Sequence, residues 1–231
     1  MMAPETVTEK KGRIMKKGLT ELVFIVDRSG SMGGLETDTI GGINATLAKN
    51  REAEGEANVS IILFDNTSEV LVDRKPIAEV ANLTEKDYSV RGCTALLDCL
   101  GDAMRQTARV QGYMPDEYKA ERVIYVITTD GYENASRHFS YDDVKKAIEM
   151  HKEEGWEFLF LGANIDAAKE AGRIGISEDY AATYVPDSMG SAVMYEAVAD
   201  ACCSMRAPKA KRGGLGSLWK KSVEADHKAR G

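Results

Sequence analysis

Cysteine is scarce in this chain of 231 residues, which contains only Cys93, Cys99, Cys202 and Cys203. Adjacent cysteines such as Cys202 and Cys203 form a poor disulfide pair, and no Cys-x-x-Cys or Cys/His spacing of a zinc site occurs. Reduced thiols are typical of proteins in reducing compartments. The cysteine content therefore predicts a cytoplasmic protein with neither a disulfide framework nor a thiolate zinc site.

Long apolar runs are also missing. Residues 1–20 are polar and charged, without the apolar core of a secretory signal, and no stretch approaches the roughly 20 apolar residues of a membrane span. These absences predict a soluble, intracellular protein without a membrane partner. The phosphate-binding loop Gly-x-x-x-x-Gly-Lys-Ser/Thr and a strand followed by Gly-x-Gly-x-x-Gly are absent too, which disfavours nucleotide binding.

Charge is unevenly distributed along the chain, whose net charge is −7. Residues 206–231 carry eight Lys and Arg against two acidic residues, residues 1–17 carry five against two, and the remainder carries a net −16. An acidic body repels nucleic acid, so only the basic ends are candidates for such contacts. We expect a basic N-terminal tail over 1–19, one domain over 20–205 and a basic, flexible C-terminal tail over 206–231.

Hydrophobic patterning predicts alternating strands and helices. Unbroken apolar runs such as 22–26 and 122–128 are typical of strands buried on both faces, whereas Ile40, Ile43 and Leu47 have helical spacing. The predicted strands are 22–26, 59–64, 69–74, 122–128, 156–161 and 180–185. This order predicts an α/β, Rossmann-like, doubly wound sheet of six mainly parallel strands, with one antiparallel edge strand and helices on both faces.

Three polar loops contain the residues that indicate a function. Asp27, Ser29 and Ser31 follow the first strand, Thr94 opens a helix, and Asp130 follows the fourth strand. Ligands of open parallel sheets bind outside the carboxyl ends of the strands, where the strand order reverses, so we expect these side chains to converge. Two carboxylates and three hydroxyls form an all-oxygen set that suits Mg²⁺, Mn²⁺ or Ca²⁺ rather than zinc or copper.

Other interpretations of these residues fit less well. Ser and Asp are common in loops that cap helices, but a cap does not require Thr94 and Asp130 as well. A nucleophilic Ser31 in a hydrolase elbow needs Gly two positions earlier, where Ser29 stands. Phosphoryl transfer by Asp27, as in haloacid-dehalogenase-like phosphatases, needs a second Asp two positions later, where this chain has Ser29.

The pattern Asp27-x-Ser29-x-Ser31, followed by Thr94 and Asp130, resembles the metal-ion-dependent adhesion site of von Willebrand factor A (vWA) domains. The resemblance covers residues 20–205, and the sequences around Asp98 and over 160–164 are similar to the prokaryotic and phage type. It implies that Ser29, Ser31 and Thr94 bind the metal directly, whereas Asp27 and Asp130 act through water. Cys93 stands where a small residue is commoner, which puts a thiol close to the metal.

The resemblance implies a protein-binding, adhesion-type module that captures an acidic residue of a partner through bound Mg²⁺, and that is not an enzyme. By family analogy alone, the partner belongs to an ATPase-associated complex of a bacterium or phage. A metal-dependent hydrolase or phosphatase using the same site and a scaffold with a vestigial site are the alternatives.

Three residues close in sequence to the predicted site loops or to a strand end have two interpretations each. Arg28 is either a solvated side chain at the rim of the site or a contact to the partner's acidic residue. Asn164 and Asp166 either cap a helix or line a groove at the same sheet edge. His151 is interpreted as a structural histidine on the core face of a helix.

Overall fold

The structure is a computed structural model that describes residues 16–231. Its centre is one six-stranded sheet with the strand order β3-β2-β1-β4-β5-β6, in which β3 runs antiparallel to β2 and all other neighbours are parallel. This confirms the predicted fold class. The strands are β1 (Lys16–Asp27), β2 (Glu56–Phe64), β3 (Ser68–Pro76), β4 (Ala120–Thr129), β5 (Glu157–Ala163) and β6 (Ala181–Tyr184).

Helices cover both faces of the sheet. On one face α1 and α5 pack beside α6, and on the other lie α2, α3 and α4. Their bounds are α1 (Glu36–Glu52), α2 (Leu96–Tyr113), α3 (Tyr141–Glu153), α4 (Ala167–Arg173), α5 (Ser188–Arg206) and α6 (Lys221–Arg230).

Strand β1 shows why the sequence folds in this way. Successive side chains of a strand point to opposite faces, and β1 is apolar at every position from Leu22 to Val26. Leu22, Phe24 and Val26 therefore pack into the core under α1 and α5, while its other apolar residues pack into the core under α2 and α3. A strand of this kind can only be stable in the middle of a covered sheet.

The strand order places a crevice at the carboxyl ends of the two central strands, β1 and β4. From β1 the chain moves outwards to β2 and β3, and then returns to β4 on the other side of β1. The loops after β1 and β4 therefore leave neighbouring strands in different directions, and the space between them is the position at which open α/β sheets bind ligands.

The C-terminal segment differs from the predicted flexible tail. Its helix α6 packs on α5 and beside the short edge strand β6, and Val223 is only 1% exposed. Several of its cations donate to main-chain carbonyls of the domain: Arg206 to Asn50 and Gly55, Arg212 to Glu121 and Lys220 to Glu178. The basic charge thus fastens this segment to the domain.

The predicted N-terminal tail over 1–19 lies outside the described residues as far as residue 15, and residues 16–19 belong to β1. Among residues 16–231, no helix combines the length and the apolar character that crossing a membrane requires.

Candidate metal centre

Asp27 is the last residue of β1 and its side chain is buried. One carboxylate oxygen accepts a hydrogen bond from the Ser29 backbone N–H at 2.7 Å, and the other accepts from the Thr129 hydroxyl at 2.7 Å. Burial raises the pKa of Asp27 by more than these hydrogen bonds lower it. The carboxylate is therefore held firmly at the switch between β1 and β4.

The loop after β1 brings two serine hydroxyls together. A short 3-10 turn, Gly30–Met32, places the Ser29 and Ser31 oxygens 3.1 Å apart. Ser29 is buried and Ser31 is exposed. The backbone N–H of Gly30 donates to the carbonyl of Gly92 at 3.0 Å, so this loop is bonded directly to the loop that contains Thr94.

Thr94 joins the second loop to the third. Its backbone N–H donates to the Asn134 side chain at 3.0 Å, and its carbonyl accepts from the N–H groups of Asn134 and Ala135. A methyl group added at Gly131 would lie 3.2 Å from the Ser31 hydroxyl oxygen and 3.6 Å from that of Thr94. The two hydroxyls therefore converge on Gly131, and the structure brings all three predicted loops together.

Asp130 is buried beside the same cluster and accepts a hydrogen bond from the Asn164 side chain. Burial raises the pKa of Asp130, and the nearby Asp27 charge raises it further, against the effect of Asn164. Asn164 adopts a left-handed backbone conformation with φ 53° after β5. Of the two interpretations, Asn164 thus lies at the site, whereas Asp166 caps α4 by accepting from the Lys169 N–H at 3.0 Å.

Both interpretations of Arg28, as a solvated side chain and as a contact to the partner, were wrong. Its side chain is neither solvated nor available to a partner, since it is 4% exposed and pairs with Asp65 at 2.9 Å and Glu69 at 2.6 Å. Arg91, which is largely exposed, adds a second ion pair to Asp65 at 2.7 Å. Burial raises the pKa of Asp65, but the Arg91 hydrogen bond and the neighbouring charges lower it by more.

Three further residues position the loops, a role that the sequence did not predict for any of them. Asp98 accepts hydrogen bonds from three successive backbone N–H groups, at residues 137–139, and so holds the third loop against α2. Glu133 accepts from the Leu97 N–H at the start of α2. The Tyr88 hydroxyl donates to the carbonyl of Asp27. The partners of each are distant in sequence, so only the folded chain shows these roles.

Two other sequence observations have a place in the structure. His151 is buried, stacks on Trp156 with ring centroids 4.0 Å apart and contacts Glu154 at 2.8 Å, in agreement with a structural role. All four cysteines are free, and Cys93 is exposed beside Thr94.

No protein-family model and no curated protein matches this sequence. Solved structures do match. Proximal thread matrix protein 1 from the mussel byssus is 17% identical over 82% of this chain, with a TM-score of 0.58. The pilus adhesin SpaC from Lactobacillus rhamnosus GG is 13% identical over 82% of this chain (TM-score 0.60), and the vWF domain of the pili tip protein Mfa5 from Porphyromonas gingivalis is 12% identical over 79% (TM-score 0.53).

The chain has the von Willebrand factor A fold. It covers 47% of the mussel protein, 30% of SpaC and 94% of the Mfa5 domain, so it spans about half of the first protein's length. A further structure of the mussel protein has a zinc-occupied MIDAS (metal-ion-dependent adhesion site) motif. It is 19% identical over 82% of this chain and 47% of that chain, with a TM-score of 0.55.

The donor set of this vWA fold is rich in hydroxyls and poor in charge. Among residues 16–231, no three His, Cys, Asp or Glu side chains form a metal-binding group. The cluster instead combines two carboxylates with the hydroxyls of Ser29, Ser31 and Thr94. Hard, neutral oxygens of this kind fit a hard divalent cation.

Proposed function

We propose that this vWA-type domain is a divalent-metal-dependent protein-binding module of the adhesion type. In this proposal Ser29, Ser31 and Thr94 bind the metal directly, and Asp27 and Asp130 hold water molecules in its shell. The observation that carries the proposal is the convergence of the Ser31 and Thr94 hydroxyls on Gly131 at the carboxyl edge of the sheet.

The charge of the domain supports a partner with an acidic residue. Residues 18–205 carry a net charge of −16, so an acidic partner is repelled in the absence of metal. A divalent cation held mainly by neutral hydroxyls keeps residual positive charge and supplies electrostatic attraction for an incoming carboxylate. Binding of the partner is therefore expected to depend on metal.

Mg²⁺ is the proposed ion, with Mn²⁺ and Ca²⁺ as substitutes, because the donors are all oxygens. In the mussel protein a metal-ion-dependent adhesion site is occupied by zinc, so zinc should be included in the assay.

The proposed setting is the cytoplasm of a bacterium or phage-infected cell, with a partner in an ATPase-associated complex. The free cysteines support a reducing compartment. The named pilus proteins among the structural neighbours make the cell surface the alternative. Fractionation of cells that produce the protein distinguishes the two, and recovery at the surface contradicts the proposal.

The metal site is tested by calorimetric titration of Mg²⁺, Mn²⁺, Ca²⁺ and Zn²⁺ into protein stripped with EDTA. Ser31→Ala is the informative variant, because this exposed hydroxyl bonds only to Ser29 among the described residues. Ser204→Ala, in an exposed position on α5, is the matched control. We expect one-site binding that weakens at least ten-fold in Ser31→Ala and is unchanged in Ser204→Ala.

Two other outcomes identify the alternatives. No binding at millimolar metal, even with a short acidic peptide added, supports a scaffold with a vestigial site. Metal-dependent turnover of phosphoesters or peptides that is lost in Ser31→Ala supports a hydrolase. A partner captured with Mg²⁺ and released by EDTA supports the binding module.

A further inference from the structure

A cavity lies at the opposite end of the sheet from the metal centre. Strand β5 begins at Glu157, but its pairing with β6 begins only at Phe160, opposite Ala181. Among residues 16–231, no strand therefore pairs with residues 157–159 on that side. The gap forms a cavity of about 330 Å³, which is also lined by Ile176, Ser177 and Tyr180 and by Arg212 and Gly213 of the C-terminal segment. This volume is at the small end of the range for ligand sites, about 300–1,000 Å³.

Part of the cavity wall is apolar. It is formed by Trp156, Phe158, Ile176 and Tyr180. The Trp156 ring stacks on two other rings, that of His151 with centroids 4.0 Å apart and that of Tyr125 with centroids 5.7 Å apart. Such a wall is formed before any ligand arrives, which lowers the entropic cost of binding.

Glu157 is the one buried charged group that lines this cavity. It is 6% exposed, and one carboxylate oxygen accepts a hydrogen bond from the Gly213 N–H at 3.1 Å. Within residues 18–231 it forms no ion pair closer than 4 Å, and its second oxygen has no hydrogen-bond donor. Burial raises the pKa of Glu157, against the Gly213 hydrogen bond and the charges of Arg122 and Arg212.

The cations that also line the cavity are engaged elsewhere. The Arg212 guanidinium donates to the carbonyls of Glu121 and Glu154, and the Lys152 ammonium donates to the carbonyl of Gly175. Glu157 is therefore a buried carboxylate with no cation in direct contact, and the guanidinium groups of Arg122 and Arg212, whose charges lower its pKa, form no ion pair with it closer than 4 Å. Burying a charge in this way is unfavourable unless a group of opposite charge pairs with it.

We propose that this cavity binds a small organic ammonium ion whose charged nitrogen pairs with Glu157 and whose apolar body contacts Trp156 and Phe158. The ammonium supplies the direct ion-pair partner that Glu157 lacks, and the aromatic side chains provide apolar contact area for the rest of the ligand. An anionic ligand is disfavoured, because it would lie beside the buried carboxylate.

The test uses phenethylamine as the probe, with the neutral 2-phenylethanol and the anionic 3-phenylpropionate as matched compounds, in calorimetric titrations of the full chain. We expect saturable binding of the amine at least ten-fold tighter than that of the alcohol, and none of the anion. Equal affinity for amine and alcohol, tighter binding of the anion, or no saturable binding of the amine overturns the proposal. N-acetyl-lysine methylamide shows whether the ammonium comes from a protein side chain, in which case it binds more tightly than phenethylamine.

Two variants connect the binding to the cavity. Glu157→Gln retains an oxygen for the Gly213 N–H but removes the charge, so amine affinity should fall at least ten-fold while alcohol affinity is unchanged. Ser177→Phe fills the cavity from a position whose side chain makes no capping hydrogen bond, and it should weaken both ligands.

Ser31→Ala, at the other end of the sheet, should leave amine binding unchanged, which separates this proposal from the metal site. Thermal unfolding shows that each variant is folded. A folded Glu157→Gln protein that binds the amine as tightly as the unmodified chain contradicts the assignment.

Discussion

Replacing Asp65 with Asn tests whether the buried ion pair beside the metal loop is needed for the stability of the domain. Asp65 accepts from Arg28, whose side chain is 4% exposed, and one Arg28 guanidinium nitrogen is already buried without a hydrogen-bond partner. In Asp65→Asn the amide oxygen can still accept from the Thr67 N–H, as Asp65 does at 2.9 Å. The substitution therefore removes the negative charge that Arg28 faces, and it puts an amide NH2 group in place of the oxygen that accepts from Arg28 and Arg91.

The magnitude follows from the burial of the two partners. Removing one member of a buried ion pair costs about 3–5 kcal/mol, because the other charge is left uncompensated. Here Glu69 still pairs with Arg28, but it is 52% exposed and compensates only in part. We therefore expect Asp65→Asn to lower the free energy of unfolding by about 2–3 kcal/mol, which for a chain of this length lowers the midpoint of thermal unfolding by roughly 5–10 °C.

The assay is urea denaturation of the metal-free protein, with Arg91→Ala as the matched control. Arg91 pairs with the same carboxylate but is 58% exposed, so its removal should cost less than about 1 kcal/mol. Added NaCl should reduce the effect of Arg91→Ala and leave that of Asp65→Asn nearly unchanged. If Asp65→Asn destabilises the domain no more than Arg91→Ala does, the buried pair does not stabilise it and the reasoning is wrong.

Three further predictions concern other parts of the domain. Gly42→Ala should destabilise the domain by about 1–3 kcal/mol in urea denaturation, because the new methyl group would lie 2.0 Å from the buried ring of Tyr195. Gly41→Ala, whose methyl group would have nothing within 4 Å, should instead stabilise α1 by about 0.5–1 kcal/mol. Equal effects of the two substitutions would contradict this prediction. Gly131→Ala should weaken Mg²⁺ binding at least ten-fold in calorimetry with little change in thermal stability, because its methyl group enters the space between the two hydroxyls. Burial raises the pKa of Asp98, but three backbone N–H donors lower it by more, so it lies below the usual 3.8. Its stabilising contribution is then complete above that value and is lost as the pH falls through the lowered pKa, so the stabilities of the unmodified chain and Asp98→Ala should differ near neutral pH and converge in acid.

The sheet could be predicted from the sequence because its signals are local. The run Leu22–Val26 is short, apolar on both faces and followed by a polar loop that contains glycine, and together these features indicate a central parallel strand. The turn at residues 65–67 and Pro76 mark the antiparallel strand β3 in the same way. The positions of Asp27 and Asp130 follow from the ends of two such strands, so their place at the carboxyl edge of the sheet could be predicted before their contacts were known.

The parts that the sequence did not predict depend on partners far along the chain. Arg28 looked exposed because it lies in a polar loop, and its partner Asp65 is 37 residues away. The C-terminal segment looked flexible because it is basic and contains glycine, but Arg206 reaches the carbonyl of Asn50 across 156 residues. No local pattern encodes such contacts, since the same residues would be solvated in a chain with a different tertiary structure.

The loops of the candidate metal centre are held in place by the protein itself. The first loop is bonded to the second through the backbone of Gly30 and Gly92, and the second is bonded to the third through Thr94 and Asn134. The Asp27 carboxylate repels that of Asp130, and hydrogen bonds from the protein hold it in place in spite of this repulsion. Binding of a cation therefore requires little rearrangement of the backbone, and most of the attraction between metal and oxygens remains available as affinity. On this reasoning the loops keep their conformation in metal-free protein, and the hydrogen-bonded amides of residues 28–30 and 93–95 should exchange slowly with or without Mg²⁺. Fast exchange that only the metal slows would show that the ion, and not the hydrogen bonds, organises the site.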